Sequence, residues 1–227
     1  MNNELVSAVR AELRALADPA RAEEMRAYMK SEMPFHGVPG SVRKPMLKRL
    51  FAEYPLADKA TWLATVLYCW REATFREERY VAIELAGHRP YRVWHGPDLL
   101  PHYEELIVTG AWWDFVDEIA IRHVGPILHG HRDIVTPIMR AWSTDADRWK
   151  RRTSVICQIK AKADTDLALL SDCIEATVDD RDFFLRKGIG WALRQHAKTD
   201  PEWVRRFVAT HPSLSPLSTR EALKHLS

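Results

Sequence analysis

Three features of the 227-residue sequence predict an all-α fold. Apolar residues recur at three- and four-residue spacing between breaks, as in Ala60, Leu63, Ala64, Leu67 and Tyr68, which is the period of one helix face. No stretch alternates apolar and polar residues between turn signals as a strand pair would. Trp113 to Arg152 and Arg152 to Trp191 are each 39 positions, a period at which two helices per unit stack as a HEAT-like or armadillo-type solenoid. Equivalent positions of such a stack line one wall. Trp113, Arg152 and Trp191 are therefore expected side by side, facing a concave basic groove.

The helices follow in order from their punctuation. Asp18-Pro19 and Asp200-Pro201 put a capping carboxylate before a proline, the signature of a helix start. Gly96-Pro97-Asp98 and Gly125-Pro126 are read as breaks. Periodicity between these marks predicts helices over 3–17, 19–31, 42–53, 59–71, 74–87, 98–108, 112–124, 132–142, 147–162, 165–177, 181–197, 201–209 and 219–226. The whole chain, 1–227, is expected to be a single helical-repeat domain.

Composition narrows the class. An apolar fraction of 46% with a net charge of +2 excludes a disordered chain. No apolar run approaches the roughly 18 residues needed to span a bilayer, so no membrane partner is expected. The start, Met-Asn-Asn-Glu-Leu-Val, lacks the basic and apolar regions of a secretory signal. Cys69, Cys157 and Cys173 are scattered, as reduced thiols in a cytoplasmic protein would be.

Near-neutrality hides an uneven distribution. Residues 148–163 carry Arg148, Lys150, Arg151, Arg152, Lys160 and Lys162 and no acid. Residues 164–182 carry Asp164, Asp166, Asp172, Glu175, Asp179, Asp180 and Asp182 against Arg181 alone. Residues 183–198 return to Arg186, Lys187, Arg194 and Lys198. On alternating helices this pattern predicts a cationic inner face that attracts a polyanion. The plainer alternative is a set of solvated helix faces.

The sharpest local signal is Trp112-Trp113-Asp114-Phe115-Val116-Asp117. Trp113 and Asp117 are four apart and share a face. A carboxylate beside an indole is costly unless paired, and Arg152, one repeat on, is the natural partner. An anion inside a cationic groove makes sense where a positive charge must be stabilised. It makes equal sense as an ion pair bracing two repeats, with Trp112 filling core. Trp191 shares its face with Lys187, Arg194 and Lys198, an arrangement of ring and cations suited to nucleic acid. Arg43 and Lys44 open a basic helix start expected to touch phosphate, with Ser41 able to cap it. His123, His129 and His131 straddle a Gly-Pro pair without acidic or thiol companions and are read as surface residues, so no metal is expected. No nucleophile elbow and no glycine-rich phosphate loop is present, and no cofactor is expected.

The sequence resembles the AlkD-like family of bacterial DNA alkylation repair enzymes. The resemblance rests on Ala27-Tyr28-Met29-Lys30, on Glu104 to Thr109 leading into Trp112 to Asp117, on Phe183 to Arg194, and on Leu217 to His225. It implies a monofunctional DNA glycosylase that excises N3- and N7-alkylated purines, such as 3-methyladenine and 7-methylguanine, from double-stranded DNA. It implies a catalytic carboxylate at Asp117 flanked by Trp113 and Trp191. Arg152 and Arg194 fall at its DNA-contacting positions, and Tyr28 matches an aromatic near the lesion. Lys187 and Arg148 are expected to join that DNA contact. Members of the family are understood to act without extruding the base, and the chain is expected to work as a monomer without an obligate protein partner. One departure is Ser41, where the family tends to have proline. Other readings of the residues are a non-enzymatic repeat protein that senses damaged or branched DNA, and a helical scaffold for peptides.

Overall fold

The computed structural model describes residues 1–226, and all regular structure among them is helical. The chain divides into two compact units, Met1–Trp94 and His95–Ser227.

The first unit contains α1 (Asn3–Ala15), α2 (Pro19–Met29), α3 (Gly40–Glu53), α4 (Lys59–Arg71) and α5 (Arg76–Ala86), then a 3-10 stretch Arg89–Trp94. Asn2, Asp18 and Asp58 accept the orphan N–H groups that open α1, α2 and α4, the last with Thr61 N at 2.7 Å. Leu5, Leu13, Leu47, Leu50, Trp62 and Trp70 form its sealed core. The Trp62 indole donates to the Leu85 carbonyl at 3.1 Å, so even this large ring leaves no polar atom unpaired.

Between α2 and α3 the loop is organised by a buried carboxylate. Glu77 of α5 accepts the N–H groups of His36, Gly37 and Val38 at 2.9–3.0 Å. Gly37 sits at φ +84°, where a Cβ would lie 2.1 Å from the Asp18 carbonyl. Arg43 is drawn into the same structure. It donates to the Val38 carbonyl at 3.3 Å and lies 4.5 Å from the Tyr80 ring centre, so it is buried and not offered to phosphate as the sequence suggested. Nor does Ser41 cap α3: Pro39 occupies that position and no side chain caps the helix.

The second unit contains α6 (Leu100–Gly110), α7 (Trp113–Ile119), a π-turn Ala120–Val124, α8 (Gly125–Gly130), α9 (Arg132–Ser143), α10 (Arg148–Ile156), α11 (Leu167–Glu175), α12 (Phe183–His196), α13 (Pro201–Thr210) and α14 (Pro216–Leu223). First helices pack on first helices, α9 on α11, and second helices on second helices, α7 on α10, α10 on α12 and α12 on α14. This is the two-row stacking expected from a 39-residue period.

Gly125-Pro126 does not break the chain. Backbone from Trp113 to Gly130 stays helical, with the π-turn taking up the register just before Gly125 and Pro126 open α8. α10 is shorter than its periodicity implied. After Ile156, Gln158 clamps the chain by donating to Asp166 O at 3.1 Å and accepting from Asp166 N at 2.8 Å, with Lys162 in the left-handed region.

α14 approaches α12 closely because α12 has a glycine there. A Cβ on Gly190 would lie 2.5 Å from Glu221 Cβ and 2.9 Å from the Ser218 carbonyl. Gly130 has nothing within 4 Å. Alanine gains about 1 kcal/mol over glycine in helix propensity, but overpacking against backbone costs about 1–3 kcal/mol. Gly190→Ala is therefore expected to destabilise the protein by up to about 2 kcal/mol and Gly130→Ala to leave it unchanged or slightly stabilised, read from urea unfolding. Equal effects would contradict the close approach.

Candidate active site

α7 begins where the chain turns sharply. Ala111 adopts φ +43°, Trp112 follows in extended geometry, and Trp113 is the first helical residue. A left-handed alanine is strained, and it leaves only two residues between α6 and α7. The Trp112 ring meets Phe184 edge-on at 5.6 Å and lies 6.4 Å from Trp149, which itself lies 5.0 Å from Phe184. Trp112 thus ties α7 to α10 and α12, the core-filling role expected of it, although its Nε1 is buried without a hydrogen bond.

Asp117, one turn beyond Trp113, meets Arg152 of α10. Arg152 Nε donates to Asp117 Oδ1 at 2.7 Å and Nη2 donates to Oδ2 at 2.8 Å, a bidentate pair. Arg152 Nη1 also donates to the Phe184 carbonyl at the start of α12. Space for the guanidinium comes from Gly188, whose Cβ would lie 2.9 Å from Nη1. Arg152 is buried, whereas the Asp117 side chain keeps 14% of its surface. The carboxylate is held and still reachable.

Burial pushes the Asp117 carboxyl above the ordinary aspartate value, and Arg152 opposes this by hydrogen bonding and charge without reversing it. Asp114 and Glu118 add smaller upward pushes. Desolvation disfavours the charged form, so this anion is poorly solvated and stabilises a nearby cation strongly.

Trp113 and Trp191 are both half-buried, and neither stacks on another ring of the described residues. Trp113 is on α7 and Trp191 on α12, the latter between Lys187 and Arg194. These two cations share Glu221 of α14: Lys187 Nζ donates to Oε1 at 2.8 Å and Arg194 Nη1 donates to Oε2. With Lys187 the larger influence and Arg194 adding to it, the Glu221 carboxyl is held below its ordinary value despite some desolvation.

Other predicted positions are distributed unevenly. Arg148 is exposed and 3.1 Å from Asp182. Lys44 is exposed, 4.0 Å from Glu84. Tyr28 projects from the last turn of α2 with 78% of its surface exposed. His123 is not a surface residue: it is buried in the π-turn and stacks on Tyr103 at 5.2 Å. Glu221, Gly188 and the Phe184 carbonyl were not legible as site components, because each acts through a partner about 30 positions away. The only hint was that all three residues fall within conspicuous sequence blocks.

Much of the charge alternation resolves into local pairing. Asp166 and Asp182 cap α11 and α12, Asp172 pairs with Arg140 at 2.7 Å, and Asp180 pairs with Arg151 at 2.9 Å. Lys150 is held between Glu104 and Asp145. Lys160 and Lys198 remain exposed.

A family model described as DNA alkylation repair enzyme matches residues 9–226. A solved structure described as a predicted DNA alkylation repair enzyme from Enterococcus faecalis is 31% identical, covers 93% of this chain and 97% of its own, and superposes with a TM-score of 0.84. No curated protein matches.

The pair geometry sets a stability order. Removing the guanidinium leaves a buried carboxylate alone, which costs about 3–5 kcal/mol. Asp117→Asn keeps an acceptor for Arg152 and is expected to cost about 1–3 kcal/mol. Urea unfolding of Arg152→Ala and Asp117→Asn checks the order, and an Arg152→Ala protein as stable as the wild type would contradict it.

Proposed function

As the chain belongs to the DNA alkylation repair enzyme family, we propose that it is a DNA N-glycosylase that hydrolyses the glycosidic bond of N3- and N7-alkylated purines in duplex DNA. One observation carries this reading: Asp117 is a partly exposed carboxylate, fixed by a buried arginine, on the same helix face as the half-buried indole of Trp113.

The chemistry follows from charge. A purine alkylated at N3 or N7 is already cationic, so cleavage releases a neutral base and transfers positive charge to the sugar. Ordinary glycoside hydrolysis needs a second carboxyl group to protonate the leaving group, and a cationic base does not. A single anion suffices. Asp117 stabilises the oxocarbenium-like sugar and orients or deprotonates the attacking water. Trp113 and Trp191 offer ring faces to the deoxyribose, an interaction that strengthens as the sugar gains charge. Arg152 spends three N–H groups inside the protein, so its first task is to hold Asp117 in position. The backbone of the DNA falls to more accessible cations of the second unit, Lys187, Arg194 and Arg148.

A DNA-binding protein without activity is the rival reading, in which Asp117 and Arg152 only brace α7 against α10. The two readings part on base release. Asp117→Asn is expected to bind duplex DNA within about threefold of the wild type and to lose base release by at least about 100-fold, since an electrostatic stabiliser of the transition state is worth roughly that. Chromatography of free 7-methylguanine in single-turnover reactions measures it, and retained release removes the catalytic role. Uracil, a neutral base that leaves as a poor anion, is expected to remain in DNA. Measurable uracil release above a protein-free control counts against a mechanism without an acid.

The burial of Asp117 also fixes a pH dependence. The ionised form is the active one and its proton affinity is raised. Release is therefore expected to fall on acidification at a pH above the ordinary aspartate value, after subtraction of spontaneous loss from DNA alone. Arg152→Ala, which removes the opposing charge, is expected to move that acid limb to still higher pH. An acid limb unmoved by Arg152→Ala would separate Asp117 from the rate.

A further inference from the structure

Lys187, Trp191 and Arg194 lie at successive turns on one face of α12, so an indole is bracketed by two long cationic side chains. Long cations are flexible. Ordering each on a ligand costs affinity through lost rotamers. In this protein both are already ordered. Glu221 takes one N–H from Lys187 at 2.8 Å on one oxygen and one from Arg194 on the other, and it is itself buried.

The placement of Glu221 is built by α14. Ser215 caps that helix by accepting from Ser218 N at 3.1 Å, and Ser218 Oγ donates to the Arg186 carbonyl at 2.9 Å. Gly190 lets Glu221 Cβ come within a distance that no other residue at position 190 would allow. The carboxylate uses a single N–H of each cation. Lys187 keeps two ammonium hydrogens and 42% of its side-chain surface, and Arg194 keeps Nε and Nη2.

We propose that Glu221 is a positioning residue for DNA: it clamps Lys187 and Arg194 on either side of Trp191 so that their remaining donors are preset for successive backbone phosphates. This rests on the reading of the protein as a duplex-DNA enzyme, but not on base release. An alternative effect of the same carboxylate has the opposite sign. A negative charge beside DNA repels phosphate, so removing it would tighten binding. Pre-ordering and repulsion are thus separated by the direction of change.

The test is a mutant cycle in affinity for an undamaged duplex at fixed salt, using the full chain. Glu221→Gln keeps size and hydrogen-bonding capacity while losing the charge. It is expected to weaken binding about tenfold, the cost of re-ordering two long side chains, even though the protein becomes more positive. In the Lys187→Ala, Arg194→Ala background the same change is expected to have no further effect, because there is nothing left to position. Equal losses in both backgrounds would reduce Glu221 to a structural prop, and unchanged or tighter binding would leave repulsion as its only effect. Either result overturns the proposal. If Glu221→Gln is unfolded by circular dichroism at the assay temperature, Glu221→Asp replaces it. That variant keeps the charge with a shorter reach, and an intermediate loss that also vanishes in the double-alanine background is expected. Wild-type protein that binds duplex but releases no base would strike the glycosylase reading alone, and wild-type protein that does not bind duplex would overturn both.

Discussion

A guanidinium taken out of water must find acceptors on the elements around it, and Arg152 finds them on the two second-row helices that flank its own. It belongs to α10, pairs with Asp117 on α7 and donates to the Phe184 carbonyl opening α12. Replacing water by these partners is tolerable only while all of them are in place. The registry of three repeats and the position of the candidate catalytic carboxylate are consequently one constraint. The rings of Trp112, Trp149 and Phe184 reinforce it from the apolar side, linking the same three helices.

The same burial gives Asp117 its chemical character. A surface carboxylate is shielded by water and does little for a passing cation. Held at low solvation, Asp117 bears a charge that Arg152 only partly offsets, so its proton affinity is raised. The proposed glycosylase chemistry, in which a sugar becomes cationic, would draw on that unmet demand for positive charge. The ion pair braces α7 against α10, and the proposed chemistry would use the same fixed geometry.

Glycine makes the helical stack close enough for such pairs to form. Gly188 leaves room for Arg152 and Gly190 for Glu221, so one turn of α12 receives a cation from the preceding helix and an anion from the following one. Elsewhere acids and bases are consumed in caps and cross-helix pairs, among them Asp182 with Arg148 and Asp180 with Arg151. The alternating runs of charge in the sequence serve repeat-to-repeat adhesion as much as attraction of a polyanion, and only particular cations remain outward.

The sequence by itself determined whatever depends on neighbours within a turn or two: the caps at Asp18 and Asp200, the face shared by Trp113 and Asp117, and the 39-residue spacing that sets Trp113, Arg152 and Trp191 on second-row helices. Those features are local because backbone hydrogen bonds and side-chain periodicity reach only three or four residues. Tertiary structure decided which charges meet. Glu221 lies 34 positions from Lys187 and 27 from Arg194, Arg43 turns inward to the Val38 carbonyl, and His123 is buried against Tyr103. Coulombic and hydrogen-bond partners are chosen by distance in space, and that distance exists only once the helices have packed.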